Sequence, residues 1–291
     1  MDILTSIIGG VRQAWRILAF GPFEKGVTLA MLVAIAIYVI VFTIERLTGT
    51  RTANYRSKSF LHDLGYWFYY RAGIHGLLLV APATAIVDIP LSFVETGLFT
   101  PLPYVAHLLI IFVGSDFAAY WIHRAEHRFK FMWAFHTTHH SQERLNFATI
   151  ARFHPVEMLY HNILVYIPLR ILGLDPTVWL PLFLFSQLHG GITHTKIPWK
   201  LGPLYKIVAT PTFHSFHHSV DPAHHNKNFS SMFSIWDHLF GTAVNGNEAK
   251  PSRFGLDGIP STPLLSTLTT PFRLLYESYL VPLRGRGMGK S

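Results

Sequence analysis

The chain has 291 residues, of which 50% are hydrophobic and 14% charged, with a formal charge of +8 and no cysteine. An ordinary soluble enzyme carries about 25% charged residues, and the apolar residues here gather in long runs, so the first expectation is a polytopic membrane protein. The composition excludes disorder, disulfides and thiolate sites, and no arginine cluster with stacking aromatics stands apart to suggest nucleic-acid binding.

Residues 1–26 read as an amphipathic lead-in at the membrane interface. Ile3, Leu4, Ile7, Ile8 and Val11 fall at helical spacing before Arg12 and Arg16, and no signal-peptide flanks are evident. Residues 27–44, uncharged between Lys25 and Glu45-Arg46, make a first span. A basic loop follows with Arg51, Arg56, Lys58 and Arg71, and its run Tyr66-Trp67-Phe68-Tyr69-Tyr70 suits an interfacial belt. Residues 74–94, interrupted by Pro82, Asp88 and Pro90, make a second span, and residues 103–122, with Asp116 inside, a third. His75 and His107 lie in these spans and are expected to face the bundle interior. Residues 156–171 and 177–188, joined by Gly173-Leu174-Asp175-Pro176, form a helical hairpin near the lower limit for crossing.

This order puts 20 of the 24 Lys and Arg on one face and leaves Arg12, Arg16, Lys25 and Arg170 on the other. The basic face is therefore expected to be cytoplasmic, and every histidine-rich segment falls on it. The expected fold is all-α: a polytopic membrane helical bundle, about three spans plus a hairpin, with a cytoplasmic helical cap carrying a metal site. Its parts are an interfacial segment at 1–26, spans within 27–122, a histidine-box region at 123–248 that contains the hairpin at 156–188, and a cytoplasmic tail at 249–291.

Three clusters carry the chemistry: His123-Arg-Ala-Glu-His127, His136-Thr-Thr-His139-His140 and His214-Ser-Phe-His217-His218. Positions i, i+3 and i+4 share a helix face, so each cluster aims its imidazoles one way. Eight imidazoles are too many for one metal, and imidazole without thiolate suits iron, zinc or copper. Asp116, Tyr120, His123 and His127 make one stripe, and Asp116 reads as a carboxylate that fixes the tautomer of a ligand histidine. His154 is expected to have a structural or capping role, and Trp236-Asp237 to close the cap.

HRAEH, HTTHH and HSFHH, in this order, resemble the histidine boxes of the fatty acid hydroxylase / sterol desaturase superfamily. The resemblance extends to DFAAYWIHR, LNFATIARFHPVE, ITHTK, TPTFH and NFSSMFSIWDHLFGT, covering roughly residues 110–243. It implies a site for two iron ions, with zinc as a possible substitute, held by His123, His127, His136, His139, His140, His214, His217 and His218. It adds His194 as a ninth ligand. His189 stands five residues before His194, a spacing that turns it off that face, and Gly190 occupies the position used in some relatives. The implied activity is O2-dependent hydroxylation or desaturation of a lipid (a sterol, a fatty acyl chain or a related molecule).

No dinucleotide fingerprint is present, so the resemblance implies an electron donor in trans, a ferredoxin or cytochrome b5-type protein. The membrane would be a bacterial plasma membrane rather than endoplasmic reticulum. A histidine-rich membrane metal-binding or transport protein, and an inactive scaffold relative, are the alternatives. Transport would place ligands near the midplane of spans, whereas these boxes follow span ends.

Overall fold

In the computed structural model the described residues are 22–50, 53–174, 180–199, 201–244 and 251–279. Most of the interfacial lead-in, part of the hairpin turn and the end of the tail lie outside them. The described residues are helical, with only two isolated β-bridges, Ser219 to Phe254 and Leu256 to Ile259.

The long helices are α1 (Pro22–Leu47), α2 (Lys58–Arg71), α3 (Ala81–Leu91), α4 (Tyr104–Arg128), α5 (Lys130–His140), α6 (Pro155–Ile171) and α7 (Leu180–Thr193). Shorter pieces are α8 (Pro211–His217), α9 (Ile235–Leu239), α10 (Leu264–Thr267) and α11 (Thr270–Tyr279). The expected first span lies within α1. The second is helical from 74 to 91, with a π-helical turn at Gly76–Val80 leading into α3, and the α2 axis before it is bent 49° from that segment.

Helix α4 contains the expected third span and continues through the first box. Its 25 residues reach about 37 Å at 1.5 Å per residue. Among the described residues it is the one helix that is long and apolar enough to cross a membrane by itself, and the bent α2–α3 unit would make two. Val105, Leu109, Val113, Phe117 and Trp121 stand four apart along α4 and are all exposed, which is one continuous apolar stripe. The opposite side buries Ile111, Ser115, Tyr120, His123 and Glu126. The helix thus presents apolar surface outward and its polar groups inward. The expected start of the hairpin's second run, at 177, lies outside the described residues; its described part runs from Leu180 past the expected end to Thr193.

One core cluster joins α1, α2, α7 and a 3-10 turn at Phe147–Ala151 through Val41, Phe60, Phe147, Ala148, Ile192 and Ile197. Gly190 and Gly191 make that packing possible. A Cβ on Gly190 would meet Ile150 at 2.4 Å, and one on Gly191 would meet Phe147 at 2.5 Å. Close approach of the turn, rather than chain conformation, dictates glycine there.

A buried ion pair ties the same turn to the second box. The Arg152 guanidinium donates to Asp63 at 3.0 Å, and neither side chain is exposed. The other Asp63 oxygen accepts from Gln142, Asn146 and Thr149. Arg152 also donates to the Thr138 carbonyl and the Ser141 hydroxyl, which flank His139 and His140, and to the Thr262 carbonyl. A charge in this dry position is tolerated because it is paired and all three guanidinium nitrogens donate. Replacing Arg152 by Met strands the Asp63 carboxylate. The expected cost is about 3–5 kcal/mol of stability, read as a lowered unfolding midpoint of the detergent-solubilised protein, whereas an Asp63→Asn, Arg152→Met double variant recovers part of it.

Candidate metal centre

The nine histidines come together from four places in the chain. His123 and His127 close α4, and His136, His139 and His140 line one face of α5. His194 follows α7 directly, and His214 and His217 sit on α8 with His218 as its cap. Their nitrogens form two groups, each with atoms within 4.8 Å of one another. The first group holds His123, His127, His136, His140 and His217, and the second His139, His194, His214 and His218. The groups adjoin, since the His140 and His218 rings lie 4.8 Å apart between centroids.

Hydrogen bonds to the outer nitrogens decide which atoms face inward. A carbonyl can only accept, so each Nδ1 bonded to one carries the proton and leaves Nε2 with a lone pair. His123 Nδ1 donates to the Phe229 carbonyl at 2.6 Å, His217 Nδ1 to Lys227 at 2.9 Å and His194 Nδ1 to Gly190 at 2.7 Å. His136 Nδ1 donates to the Glu157 carboxylate at 2.6 Å. The inward Nε2 atoms of His123 and His136 then stand 3.1 Å apart. Other inward pairs are His127 with His140 at 3.1 Å, His194 with His214 at 3.0 Å, His214 with His218 at 3.1 Å and His139 with His194 at 3.4 Å.

Two lone pairs so close repel unless a cation lies between them. A proton is a poor cation here. Burial, and after it the neighbouring imidazoles, pushes His136, His139, His140, His214 and His218 well below the usual histidine range, and burial brings His194 and His217 down to about 4. The rings are therefore neutral donors at pH 7. Metal–nitrogen bonds of roughly 2.1 Å separated by a right or tetrahedral angle put their nitrogens roughly 3.0–3.4 Å apart, the spacing found here. Buried nitrogens without a hydrogen-bond partner, including His217 Nε2, belong to the same pattern. The residues present fit a divalent metal in each group.

Backbone geometry aims the carbonyls. Asn228 lies between Lys227 and Phe229 with φ of 55°, a left-handed conformation that asparagine tolerates better than most residues. Its side chain donates to the Phe213 carbonyl and accepts from the Val244 amide. Asp237 accepts from the Phe229 and Ser230 amides and from the Thr242 hydroxyl.

Asp116 does not touch a ligand histidine, contrary to its expected role. Its carboxylate accepts from the Met232 and Phe233 amides and the Trp236 indole, so it anchors the 232–236 segment to α4. The turn after Phe229 reaches α4 first and takes both oxygens. The carboxylate that orients a ligand is Glu157, with Glu126 at 3.5 Å from the same His136 nitrogen and held by the Tyr160 hydroxyl. Glu157 was present in the sequence only as the acid three residues after His154, where it also closes a capping box with the His154 amide. His154 caps α6 by accepting from the Val156 amide. His189 lies outside both groups and donates to the Ala209 carbonyl.

Residues 108–242 match the fatty acid hydroxylase family, and this interval contains all nine histidines. That interval is similar to fatty acid hydroxylase domains. The chain is 33% identical over 170 residues to the ornithine lipid hydroxylase OlsE of Rhizobium tropici, covering 58% of this chain and 51% of that one. It is 38% identical over 137 residues to alkylglycerol monooxygenase of Homo sapiens, covering 47% and 30%. It is 30% identical over 185 residues to methylsterol monooxygenase 1-3 of Arabidopsis thaliana, covering 60% and 62%. The matched region thus spans about half the length of OlsE and less than a third of the human enzyme. No solved structure matches the chain.

Replacing Asn228 by Ala keeps the left-handed backbone at a cost of about 1–2 kcal/mol and removes two side-chain bonds. The expected result is a lowered unfolding midpoint together with weaker metal retention, measured by dialysis against a chelator. Retention equal to that of the unaltered protein would separate this turn from the histidines it supports.

Proposed function

We propose that this chain is a membrane-embedded oxygenase that uses iron, O2 and an external electron donor to hydroxylate a lipid. The observation that carries the reading is the pair of adjoining, buried imidazole groups, in a domain whose relatives are named lipid hydroxylases and monooxygenases. Five and four nitrogens suit two irons better than one. Bound iron would supply the redox chemistry needed to cleave O2 and an unactivated C–H bond. The balance is one oxygen atom inserted into the lipid and one released as water, with two electrons and two protons from outside.

The protein's share is to bind, orient and keep dry. The boxes hold neutral nitrogen donors in fixed directions. The carbonyls of Lys227, Phe229 and Gly190 and the Glu157 carboxylate lock the tautomers. The ring of Phe153 stacks on His139 at 4.5 Å and Trp133 packs against His127 at 4.9 Å, so apolar faces close around the groups. The site begins where the apolar stripe of α4 ends, past Trp121. That depth suits a lipid whose chain lies in the bilayer and whose reacting carbon reaches the cap.

The further spans α1, α2–α3 and the α6–α7 hairpin complete a polytopic bundle with its cap in the cytoplasm. The exposed basic residues Arg128, Arg144, Lys206 and Arg253 give an acidic electron donor, of ferredoxin or cytochrome b5 type, a surface to meet. Hydroxylation is favoured over desaturation because the relatives are named hydroxylase or monooxygenase. The substrate class is a membrane lipid with an accessible alkyl group.

The test is lipid profiling by mass spectrometry of cells producing the protein or its His136→Ala variant, grown under isotopically heavy O2. A lipid that gains one heavy oxygen only with the unaltered protein is the expected result. No altered lipid, or the same product with the variant, contradicts the reading.

A further inference from the structure

The two imidazole groups are not built alike. In the first, three of five histidines have their outer nitrogen held by a hydrogen-bond acceptor: His123 by Phe229, His217 by Lys227 and His136 by Glu157. In the second, among the described residues, only His194 does, through the Gly190 carbonyl. The outer nitrogens of His139, His214 and His218 are buried without a hydrogen-bond partner. Both carboxylates of the site, Glu157 at 2.6 Å and Glu126 at 3.5 Å, face one ligand of the first group, His136. The first group also has one more imidazole.

Each difference acts in the same direction. An outer acceptor holds a ring in its coordinating tautomer and direction and raises the basicity of the inner nitrogen. A carboxylate does this more strongly than a carbonyl, because the hydrogen bond is charge-assisted. A ring with no outer acceptor must be held by packing alone, as His139 is by Phe153. The second group therefore binds with less basic nitrogens and fewer fixed rotamers.

We propose that the two metal positions fill in order: the five-histidine position binds first and holds its metal more tightly, and Glu157 is the positioning residue that sets the difference. The inference rests on the reading of the nine histidines as ligands. Its consequence is a protein that can carry one metal and remain inactive until the four-histidine position is loaded, so that metal supply sets the active fraction.

The probe is cobalt(II), added stepwise to the full-length, chelator-stripped protein in detergent. Its visible spectrum reports ligand geometry directly, and total metal is counted in parallel. The unaltered protein is expected to show two binding steps at least about tenfold apart. Glu157→Gln, which still accepts a hydrogen bond but carries no charge, is expected to weaken the first step by about 10–100-fold, to change its spectrum and to leave the second step in place. His214→Ala is expected to abolish the second step and spare the first. Two equal steps, a Glu157→Gln effect on the second step alone, or loss of the first step in His214→Ala would overturn the inference while leaving the ligand reading intact. Absence of any cobalt binding by the unaltered protein would overturn both. Should Glu157→Gln fail to fold, the His214→Ala titration still decides the order of filling.

Discussion

Everything in the cap serves one electrostatic constraint. The His123 and His136 nitrogens that face each other at 3.1 Å have both committed their outer protons, one to a carbonyl and one to a carboxylate. Two lone pairs in a dry pocket repel, and the burial that excludes water also opposes protonation. Such an arrangement suits the proposed set of preformed ligands, where metal charge would supply the missing attraction. Of the second group, His194 commits its outer proton in the same way, to the Gly190 carbonyl; on the proposed reading, folding around these histidines and metal binding would be thermodynamically linked.

Holding those nitrogens against their repulsion takes a framework drawn from distant parts of the chain. Asp63 on α2 and Arg152 after the 3-10 turn brace the backbone on both sides of His139 and His140. Asp116 on α4 holds the amides of 232–233, Asp237 holds those of 229–230, and Asn228 lies between the two carbonyls that meet the histidines, Lys227 at His217 and Phe229 at His123. Asp63, Arg152, Asn228 and Asp237 are buried, and the cost of burying them is offset by their hydrogen bonds. Helix α4 thus turns an apolar stripe outward while its inner side carries Tyr120, His123 and Glu126.

Helix periodicity made the histidine grouping legible in the sequence. Spacings of three and four translate directly into a shared face, so HxxxH, HxxHH and HxxHH fix where their rings point before any tertiary contact is known. The hydropathy of α1 and α4 was equally plain. The partition into five and four was not, because it depends on how α5 sits between α4 and α8, which no local pattern encodes. Asp116 misled for a related reason: its place on the histidine stripe was correct, yet a segment 116 residues later, at Met232, reached it first. Glu157, Asp63 and Arg152 looked like ordinary charges, since their partners lie 21 and 89 residues away. The glycines at 190 and 191 likewise follow from packing against Ile150 and Phe147.

The most direct test of the account is iron X-ray absorption, with iron counting, on the purified iron-loaded protein. The account predicts two irons per chain, each with a nitrogen-dominated shell at about 2.1 Å, the range of metal–imidazole bonds, and the outer-shell scattering of imidazole rings. A single metal per chain, or a shell made mainly of oxygen, would contradict it.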